Sequence, residues 1–386
     1  MHSVIDAKIV PSLRSDHSAV VLKVNINTTE KGKGYWKFNN SLLDDKLYLN
    51  KFAVLWDTLN EKYNTVKSKR MKWDLCKQDI KRFSIKYSVD KAIHNKSILD
   101  ETHDRLMELD KLISSAPSHD VCNEYNMMKR KLDEYYIYDL KGKQVRSRAK
   151  WIEHGEKNGK FFFGLEKRNG KRKTIKKLKQ QDGQIVTNLS GISEEINKYY
   201  TILYSKREQT YDLESFLEGI TMPKLTKEQK ELCDKPITKT ECLSALQSMT
   251  NNKSPGYDGL TVEFYKQCWP LVGELLIECY VECFHAGALS TTQSRGIITL
   301  LYKKNDPQLL KNWRPISLLC IDYKILAHVL SNRLKIVLPS IICSDQVGYI
   351  KGRRAAEVIR LIQDIYDYIL KHDMPGAVYV LCITSI

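Results

Sequence analysis

The order of apolar and polar residues gives its clearest pattern in residues 296–341. A short apolar run at residues 297–302 has the length of a buried or half-buried strand and leads into an Asn-Asp-Pro turn at residues 305–307. A second run, residues 313–319, carries Pro315 near its start, which suits an edge strand because proline has no amide proton to donate. We therefore predict a two-stranded ribbon. Three cations lie near its predicted tip: Lys303, Lys304 and Arg314.

Longer stretches repeat apolar residues at the 3.6-residue period of a helix. One begins at Ile321 and continues to Pro339, where we expect the proline to stop the helix. Residues 45–141 are rich in Lys, Glu, Asp and Leu with few Gly or Pro, which predicts two or more long helices with a hairpin turn at residues 114–120. Capping-box spacing predicts two further helix starts: Thr226 with Gln229, and Thr238 with Glu241.

The remaining segments show shorter versions of the same two patterns. Strands are predicted at residues 4–10, 19–26 and 377–383, and a strand-turn-strand unit at residues 175–186. Helices are predicted within residues 187–225, at 261–287 and at 355–371. Two N-terminal strands cannot bury a face by themselves. The predicted fold class is mixed, with a helical N-terminal half followed by an α+β region.

Positive charge is concentrated in one part of the chain. The 386 residues carry a formal net charge of +16, and residues 141–180 alone hold fifteen Lys plus Arg against three Glu. Such a concentration favours a polyanionic partner, most often nucleic acid, although charged residues usually just face solvent. Aromatic residues within this stretch either stack on bases or pack into a core. The candidate nucleic-acid contacts here are Lys150, Lys171, Arg172, Lys173, Lys176 and Lys177.

Cysteine usage and hydropathy indicate the compartment. None of the ten cysteines forms a Cys-x-x-Cys pair, and several lie in apolar runs, so we expect reduced, mostly buried thiols and neither a disulfide framework nor a zinc site. The N-terminus lacks the charged leader and apolar core of a signal peptide, and no apolar run approaches the length of a membrane span. These features predict an intracellular protein, cytoplasmic or nuclear, without a membrane partner.

Four motifs in the ribbon region carry a family resemblance. An apolar strand ending in lysine is followed in order by NWRPISLL, IDYKILAHVLSNRL and SDQVGYIKGR. This ordered set resembles the reverse transcriptases of non-LTR (LINE-type) retrotransposons. The resemblance implies an RNA-directed DNA polymerase that acts on an RNA template and DNA, with the ribbon as part of its fingers. It also implies that Lys303 and Arg314 hold the triphosphate of the incoming deoxynucleotide, for which a guanidinium fork and a compact ammonium are suited.

Three further segments extend the resemblance. RSRAKWIEHGEKN, at residues 146–158, is similar to the template-binding region upstream of the fingers, and the turn NNKSPGYDGL is similar to one near the template or nucleotide. Lys253 in that turn either reaches a phosphate or belongs to a simple connector. RSDHS resembles the C-terminal signature of exonuclease-endonuclease-phosphatase nucleases, which makes Asp16 and His17 a remnant of a catalytic pair. The last nucleic-acid candidates lie in SDQVGYIKGR: Lys351 and Arg353.

The sequence departs from the resembled family where metal-binding aspartates are expected. No Asp or Glu follows Asp373, and no Tyr-x-Asp-Asp box occurs. Two-metal nucleotidyl transfer needs carboxylates that hold both ions. We therefore expect a catalytically incomplete enzyme that binds no cofactor itself, whereas the intact family enzyme uses magnesium.

The resemblance also assigns domains. It implies an endonuclease remnant at residues 1–30, a helical basic linker at 31–140, a basic region upstream of the fingers at 141–225, and a partial reverse-transcriptase fingers and palm fold at 226–386. Two other functions stay open at this point. One is a non-catalytic RNA-binding protein derived from a retroelement, and the other is a structural helical protein with incidental charge.

Overall fold

The computed structural model describes residues 3–10, 19–25, 34–115, 118–147, 175–180, 182–205, 218–219, 223–343, 346–348 and 350–372. Nine α-helices lie in these ranges: α1 Lys46–Lys62, α2 Lys69–Ser115, α3 His119–Ser147, α4 Leu189–Leu203, α5 Lys227–Asp234, α6 Lys239–Ser248, α7 Val262–Ala286, α8 Ile321–Ile341 and α9 Ala355–Lys371. The strands are β1 Ser3–Val10, β2 Ala19–Asn25, β3 Leu178–Lys179, β4 Ile185–Val186, β5 Gly296–Tyr302 and β6 Trp313–Leu319. The fold is mostly helical with small antiparallel sheets, which confirms the mixed class.

Each described sheet has two antiparallel strands: β1 with β2, β3 with β4, and β5 with β6. In the N-terminal pair, Val4, Ile5, Val20, Val21 and Leu22 are exposed, Val20 at 77%, as expected for two strands that no third layer covers among the described residues. The strand predicted at residues 377–383 lies outside the described residues. The strand-turn-strand unit at 175–186 is present, but each of its strands has only two residues.

One hydrophobic core joins the N-terminal helices to the region around the ribbon. On α1, Tyr48, Phe52, Trp56 and Leu59 are buried at helical spacing. They pack with buried residues from the first third of α2 and from α6, α7 and α8. The core therefore takes side chains both from the predicted helical linker and from the predicted polymerase region.

Helix α2 extends well beyond this core. Its 47 residues span about 70 Å at 1.5 Å per residue. Its distal half pairs with α3 in the predicted hairpin, where Arg105 binds Glu124 at 2.8 Å and Leu106, Leu109 and Leu132 are buried. The two helices are separated by only a few residues, as the turn prediction requires.

Local sequence signals fix several helix ends as predicted. Thr226 and Thr238 each form a capping box, with Gln229 and Glu241 respectively. Helix α7 starts after Thr261, whose side chain accepts from the Phe264 amide, and ends at Gly287 in the left-handed conformation that favours glycine. The prediction for α8 is wrong at its end, because the helix continues two residues past Pro339. A proline this close to the terminus removes one hydrogen bond and leaves the preceding turns intact.

A second, smaller core supports the ribbon. Leu178, Ile192 and Leu310 are buried together, with Leu300 of β5 packed against them. The Lys179 amide donates to the Gln308 carbonyl at 2.9 Å. The β3–β4 hairpin and α4 therefore cover one side of the β5–β6 ribbon.

The predictions from cysteine content and hydropathy can also be compared with the structure. The nine cysteines in the described ranges are free thiols, and six of them are buried, as predicted: Cys76, Cys242, Cys268, Cys279, Cys283 and Cys320. Within the same ranges, no helix combines the length and the apolar character needed to cross a membrane.

Candidate nucleotide and nucleic-acid interface

Lys303 and Arg314 lie on the same face of the ribbon. In the antiparallel register Leu301 is opposite Arg314, and the Lys303 amide continues the ladder by donating to the Asn312 carbonyl at 2.9 Å. Residues two apart on a strand share a face, so Lys303 is the diagonal neighbour of Arg314. Such neighbours lie about 7–8 Å apart, within reach of one polyphosphate for these long side chains.

The opposite face of the ribbon contacts the rest of the protein through Leu300, which packs against Leu178 and Ile192. Within the ribbon, the Trp313 ring meets Tyr302 edge-on, with centroids 5.5 Å apart, and its indole Nε1 donates to the Pro307 carbonyl of the connecting loop at 2.9 Å. Lys303, Lys304 and Arg314 are exposed, and no described carboxylate forms an ion pair with any of them. The ribbon therefore presents three cations that have no ion-pair partner in the described part of the chain.

The turn that joins α6 to α7 packs against the far end of the ribbon. Gly256 lies so close to the backbone of Leu319 and Cys320 that a Cβ atom there would collide with both. The Asp258 Oδ1 atom accepts from the Leu260 amide at 3.1 Å, which fixes the turn locally. Lys253, at the start of the turn, is exposed and has no ion pair among the described residues.

A buried polar network connects this turn to two helices. The Lys77 Nζ atom of α2 lies 2.6 Å from Asp322 Oδ2 at the start of α8, and 3.5 Å from Asp258 Oδ2 in the turn. Asp74 lies 3.5 Å from the same ammonium, and the Trp73 indole donates to Asp322 at 2.8 Å. One lysine thus holds three segments that are distant in the sequence.

Burial and charge act in opposite directions within this network. Burial raises the pKa of the Asp258 carboxyl to about 6, although Lys77 acts to lower it. For Lys77, burial alone would lower the pKa, but Asp322, Asp258 and Asp74 together raise it above its usual value. Lys77 is therefore a permanently charged structural cation.

The same network fails as a magnesium site. Ligand atoms of Asp258, Cys320 and Asp322 lie within 4.8 Å of one another, and no other such cluster occurs in the described ranges. Magnesium prefers oxygen ligands and retains several waters, whereas this cluster is buried and includes a thiol. Lys77 already neutralises its carboxylates. The described residues thus offer no fitting site for the magnesium ions that the resemblance implies.

A second buried cation, Arg333, stabilises the other side of α8. Its Nε and Nη2 atoms each bind Glu241 of α6 at 2.9 Å, and its remaining donors reach the carbonyls of Cys233, Lys235 and Pro236. Arg333 holds the pKa of the Glu241 carboxyl down at about 2, against the smaller opposing effect of burial. The ion pair joins α6 to α8, and the bonds to the carbonyls fix the segment between α5 and α6 against α8.

The other candidate cations have varied surroundings. Lys176, Lys177 and Lys351 are exposed, whereas Arg353 is half-buried and donates to the carbonyls of Ile342, Cys343 and Gln346 after α8. Arg353 is thus engaged within the fold. The remaining candidates lie outside the described residues: Asp16, His17, Lys150, Lys171, Arg172 and Lys173.

The buried network was not predicted from the sequence, although one helix face of α2 carries part of its signal. Trp73, Cys76, Lys77, Ile80 and Ser84 are all buried on α2 at the spacing of one helix face. A lysine in the middle of such a face predicts a buried partner. Nothing local identifies that partner as Asp322, because the two residues are 245 positions apart.

Comparison with known proteins gives one extended match. No protein-family model matches the chain. The chain is 32% identical over 355 residues to the Transposon TX1 uncharacterized 149 kDa protein of Xenopus laevis. The match covers 92% of this chain but only 27% of that protein, so the chain spans about a quarter of the relative's length. The similarity supports a retroelement origin for this chain.

Proposed function

We propose that this chain forms the fingers of a non-LTR-type RNA-directed DNA polymerase, together with the helical segment that precedes them. In this function it binds nucleic acid and the triphosphate of an incoming deoxynucleotide. The observation that carries the proposal is the pair Lys303 and Arg314, which share an exposed ribbon face and have no ion-pair partner among the described residues. The similarity to a transposon protein supports the same family.

The two cations have different tasks in this proposal. The planar Arg314 guanidinium donates in pairs to phosphate oxygens and so orients the triphosphate, while the Lys303 ammonium adds a compact charge beside it. The opposite face of the ribbon packs through Leu300 against Leu178 and Ile192, which supports the strands that carry both cations. Since no described cluster fits a magnesium ion, we derive no catalytic step from these residues.

A nucleotide titration tests the proposal. We expect the purified chain to bind a fluorescent deoxyadenosine triphosphate, and Arg314→Ala to weaken binding about 10- to 100-fold, because hydrogen bonds between charged groups contribute about 1.5–3 kcal/mol. The matched control is Arg360→Ala on α9, an arginine that is also exposed and has no ion pair in the described ranges. Equal affinities for Arg314→Ala and the unchanged protein would contradict the proposal.

A primer-extension assay separates binding from catalysis. No cluster among the described residues fits the two metal ions of nucleotidyl transfer, so we expect the purified chain not to extend a primed RNA template with magnesium present. DNA synthesis by the purified chain would refute that expectation. The alternative, an RNA-binding protein without nucleotide binding, predicts the same negative result here but no binding in the triphosphate titration.

A further inference from the structure

One face of helix α2 is exposed to solvent over much of its length. At 3.6 residues per turn, a set of exposed side chains falls within about 80° of the helix circumference. We call this set the α2 stripe, and its members are Arg82, Lys86, Val89, Ile93, Lys96, Asp100 and Asp104. Buried residues of the same part of α2, among them Ser84, Leu106 and Leu109, lie on the opposite side of the helix, towards the core and α3. The stripe therefore points away from both.

The stripe exposes a row of aliphatic side chains. Val89 is 50% exposed and Ile93 is 64% exposed, and Ile85, at the edge of the stripe, is 39% exposed. These three residues lie within little more than two turns of one helix face. Singly scattered apolar residues on a surface need no explanation, whereas a contiguous patch marks an interaction site. The patch therefore indicates a surface that a partner covers.

The charge of α2 changes sign near the middle of the helix. Residues 69–96 hold nine Lys plus Arg against three Asp, whereas residues 97–115 hold five Asp plus Glu against two cations. The two halves are complementary in charge, but they cannot meet within one straight helix. They meet when the α2 helix of a second copy runs alongside in the opposite direction. A nucleic-acid strand suits the basic half alone, because its phosphates would repel the acidic half.

The charged members of the stripe are placed symmetrically about Ile93. Lys86 and Arg82 lie 7 and 11 residues before it, and Asp100 and Asp104 lie 7 and 11 residues after it. A twofold axis at Ile93 therefore brings each of these cations beside an aspartate of the other copy. Because such an interface uses the same patch on both copies, each of the two contacts occurs twice.

These side chains are available for contacts between copies. Among the described residues, Lys86, Asp100 and Asp104 form no ion pair. Arg82 binds Asp79 on the same helix at 3.2 Å, but its side chain stays 75% exposed. The core and α3 of each copy lie on the side of α2 away from the stripe, so neither blocks the approach of a second helix.

We propose that two copies of this chain associate through the α2 stripe, with their α2 helices antiparallel and Ile93 at the twofold axis. The overlap, residues 82–104, is about 33 Å long at 1.5 Å per residue. A contact between two helices of this length is small among specific interfaces, so the dimer dissociates in the micromolar range. The inference does not depend on triphosphate binding by the ribbon, and each proposal fails or survives in its own experiment.

Sedimentation velocity on the full chain tests the inference. The protein is first treated with nuclease and freed of nucleic acid, because a shared strand would also join two copies. We expect a monomer–dimer equilibrium between about 1 and 100 µM. Lys86→Glu and Asp100→Lys each turn two attractive pairs into repulsive pairs, so each is expected to raise the Kd of the dimer at least about tenfold.

A mixture of the two charge variants gives the sharpest result. When Lys86→Glu meets Asp100→Lys, opposite charges face each other at both contacts, so we expect an equimolar mixture to form dimers although neither variant does so alone. Dimers that both variants leave unchanged would overturn the inference. A mixture that stays monomeric would overturn it as well, and so would an unchanged protein that is monomeric at about 100 µM.

A matched pair of variants tests the apolar part of the stripe. Ile93→Lys places two like charges at the twofold axis and is expected to abolish the dimer. Val54→Lys changes an aliphatic residue of α1 that is 67% exposed, close to the 64% of Ile93, and is expected to leave the dimer intact. Equal effects of the two changes would overturn the inference.

Folding of each variant is checked separately from association. The stripe lies outside the core of each copy, so these changes are expected to leave the stability of a single copy nearly unchanged. Circular dichroism and a urea midpoint measure this at a protein concentration where the unchanged chain is a single copy. A folded Ile93→Lys protein that no longer dimerises supports the inference.

Discussion

Cations occupy two opposite settings in this chain. Lys77 and Arg333 have side chains only 2% and 5% exposed, and each has one carboxylate at hydrogen-bonding distance. Lys303 and Arg314 are exposed and have no ion-pair partner among the described residues. An unpaired charge is costly in the interior and nearly free at the surface. The buried cations are therefore needed by the fold, whereas the ribbon cations are free to meet an anionic ligand.

The largest effect is expected at Lys77. Replacing it with methionine keeps the bulk of the side chain but leaves Asp322 and Asp258 without their cation, so we expect a loss of about 3–5 kcal/mol in the free energy of unfolding. Urea denaturation measures this loss. Lys86→Met on the exposed part of α2 is the control and is expected to change stability by less than about 0.5 kcal/mol. Similar losses of unfolding free energy for the two variants would contradict a structural role for Lys77.

Glu241 is expected to give the next largest effect, and it depends on pH. Its folded-state pKa is depressed from 4.5 to about 2, so the stabilisation is present above pH 4.5 and is lost as the pH falls towards 2. We expect Glu241→Gln to be less stable than the unchanged protein by about 2–3 kcal/mol at pH 7, a value reduced for the partial exposure of this side chain.

The quantity to compare is the difference in unfolding free energy between Glu241→Gln and the unchanged protein. Other carboxylates titrate in both, so only the gap between their unfolding free energies reports on Glu241. We expect urea titrations from pH 6 to pH 3 to show this gap narrowing. A gap that stays constant would mean that the ion pair with Arg333 contributes no stability.

Asp258 is expected to give a pH dependence of stability opposite to that of Glu241. Its folded-state pKa is raised from 3.8 to about 6, so its stabilising contribution is present below about pH 4 and is lost as the pH rises through 6. Relative to the unchanged protein, Asp258→Asn is therefore expected to gain about 2 kcal/mol between pH 4.5 and pH 7.5. The same urea titration measures it. A relative gain on lowering the pH would show that Lys77, not burial, dominates this carboxyl.

Sequence patterns predicted the ribbon and the capping boxes because both depend on neighbouring residues. The antiparallel register follows from two short strands and one turn, and a Thr-x-x-Gln or Thr-x-x-Glu box is complete within four positions. The shared face of Lys303 and Arg314 is a consequence of that register. The cation role assigned to them through the family resemblance stays a prediction.

Local sequence patterns could not predict the buried network, because it depends on how distant segments pack together. Lys77 is one of many lysines in a charged helix, and its burial is decided by the turn and α8, which fold against α2. Tyr257 presents the converse case. Its buried neighbours favour a core position for this aromatic residue, but the structure leaves Tyr257 46% exposed.

The smallest effect on stability is expected at the ribbon tip. Exposed cations without partners contribute little to folding, so the double variant Lys303→Ala with Arg314→Ala is expected to unfold within about 0.5 kcal/mol of the unchanged protein. Arg360→Ala serves as the matched surface control in the same urea titration. A loss above about 1 kcal/mol would mean that these cations serve the fold, as Lys77 and Arg333 do, and the distinction between the two settings would fail. Unchanged stability together with weakened triphosphate binding is the combination that only a ligand-binding role produces.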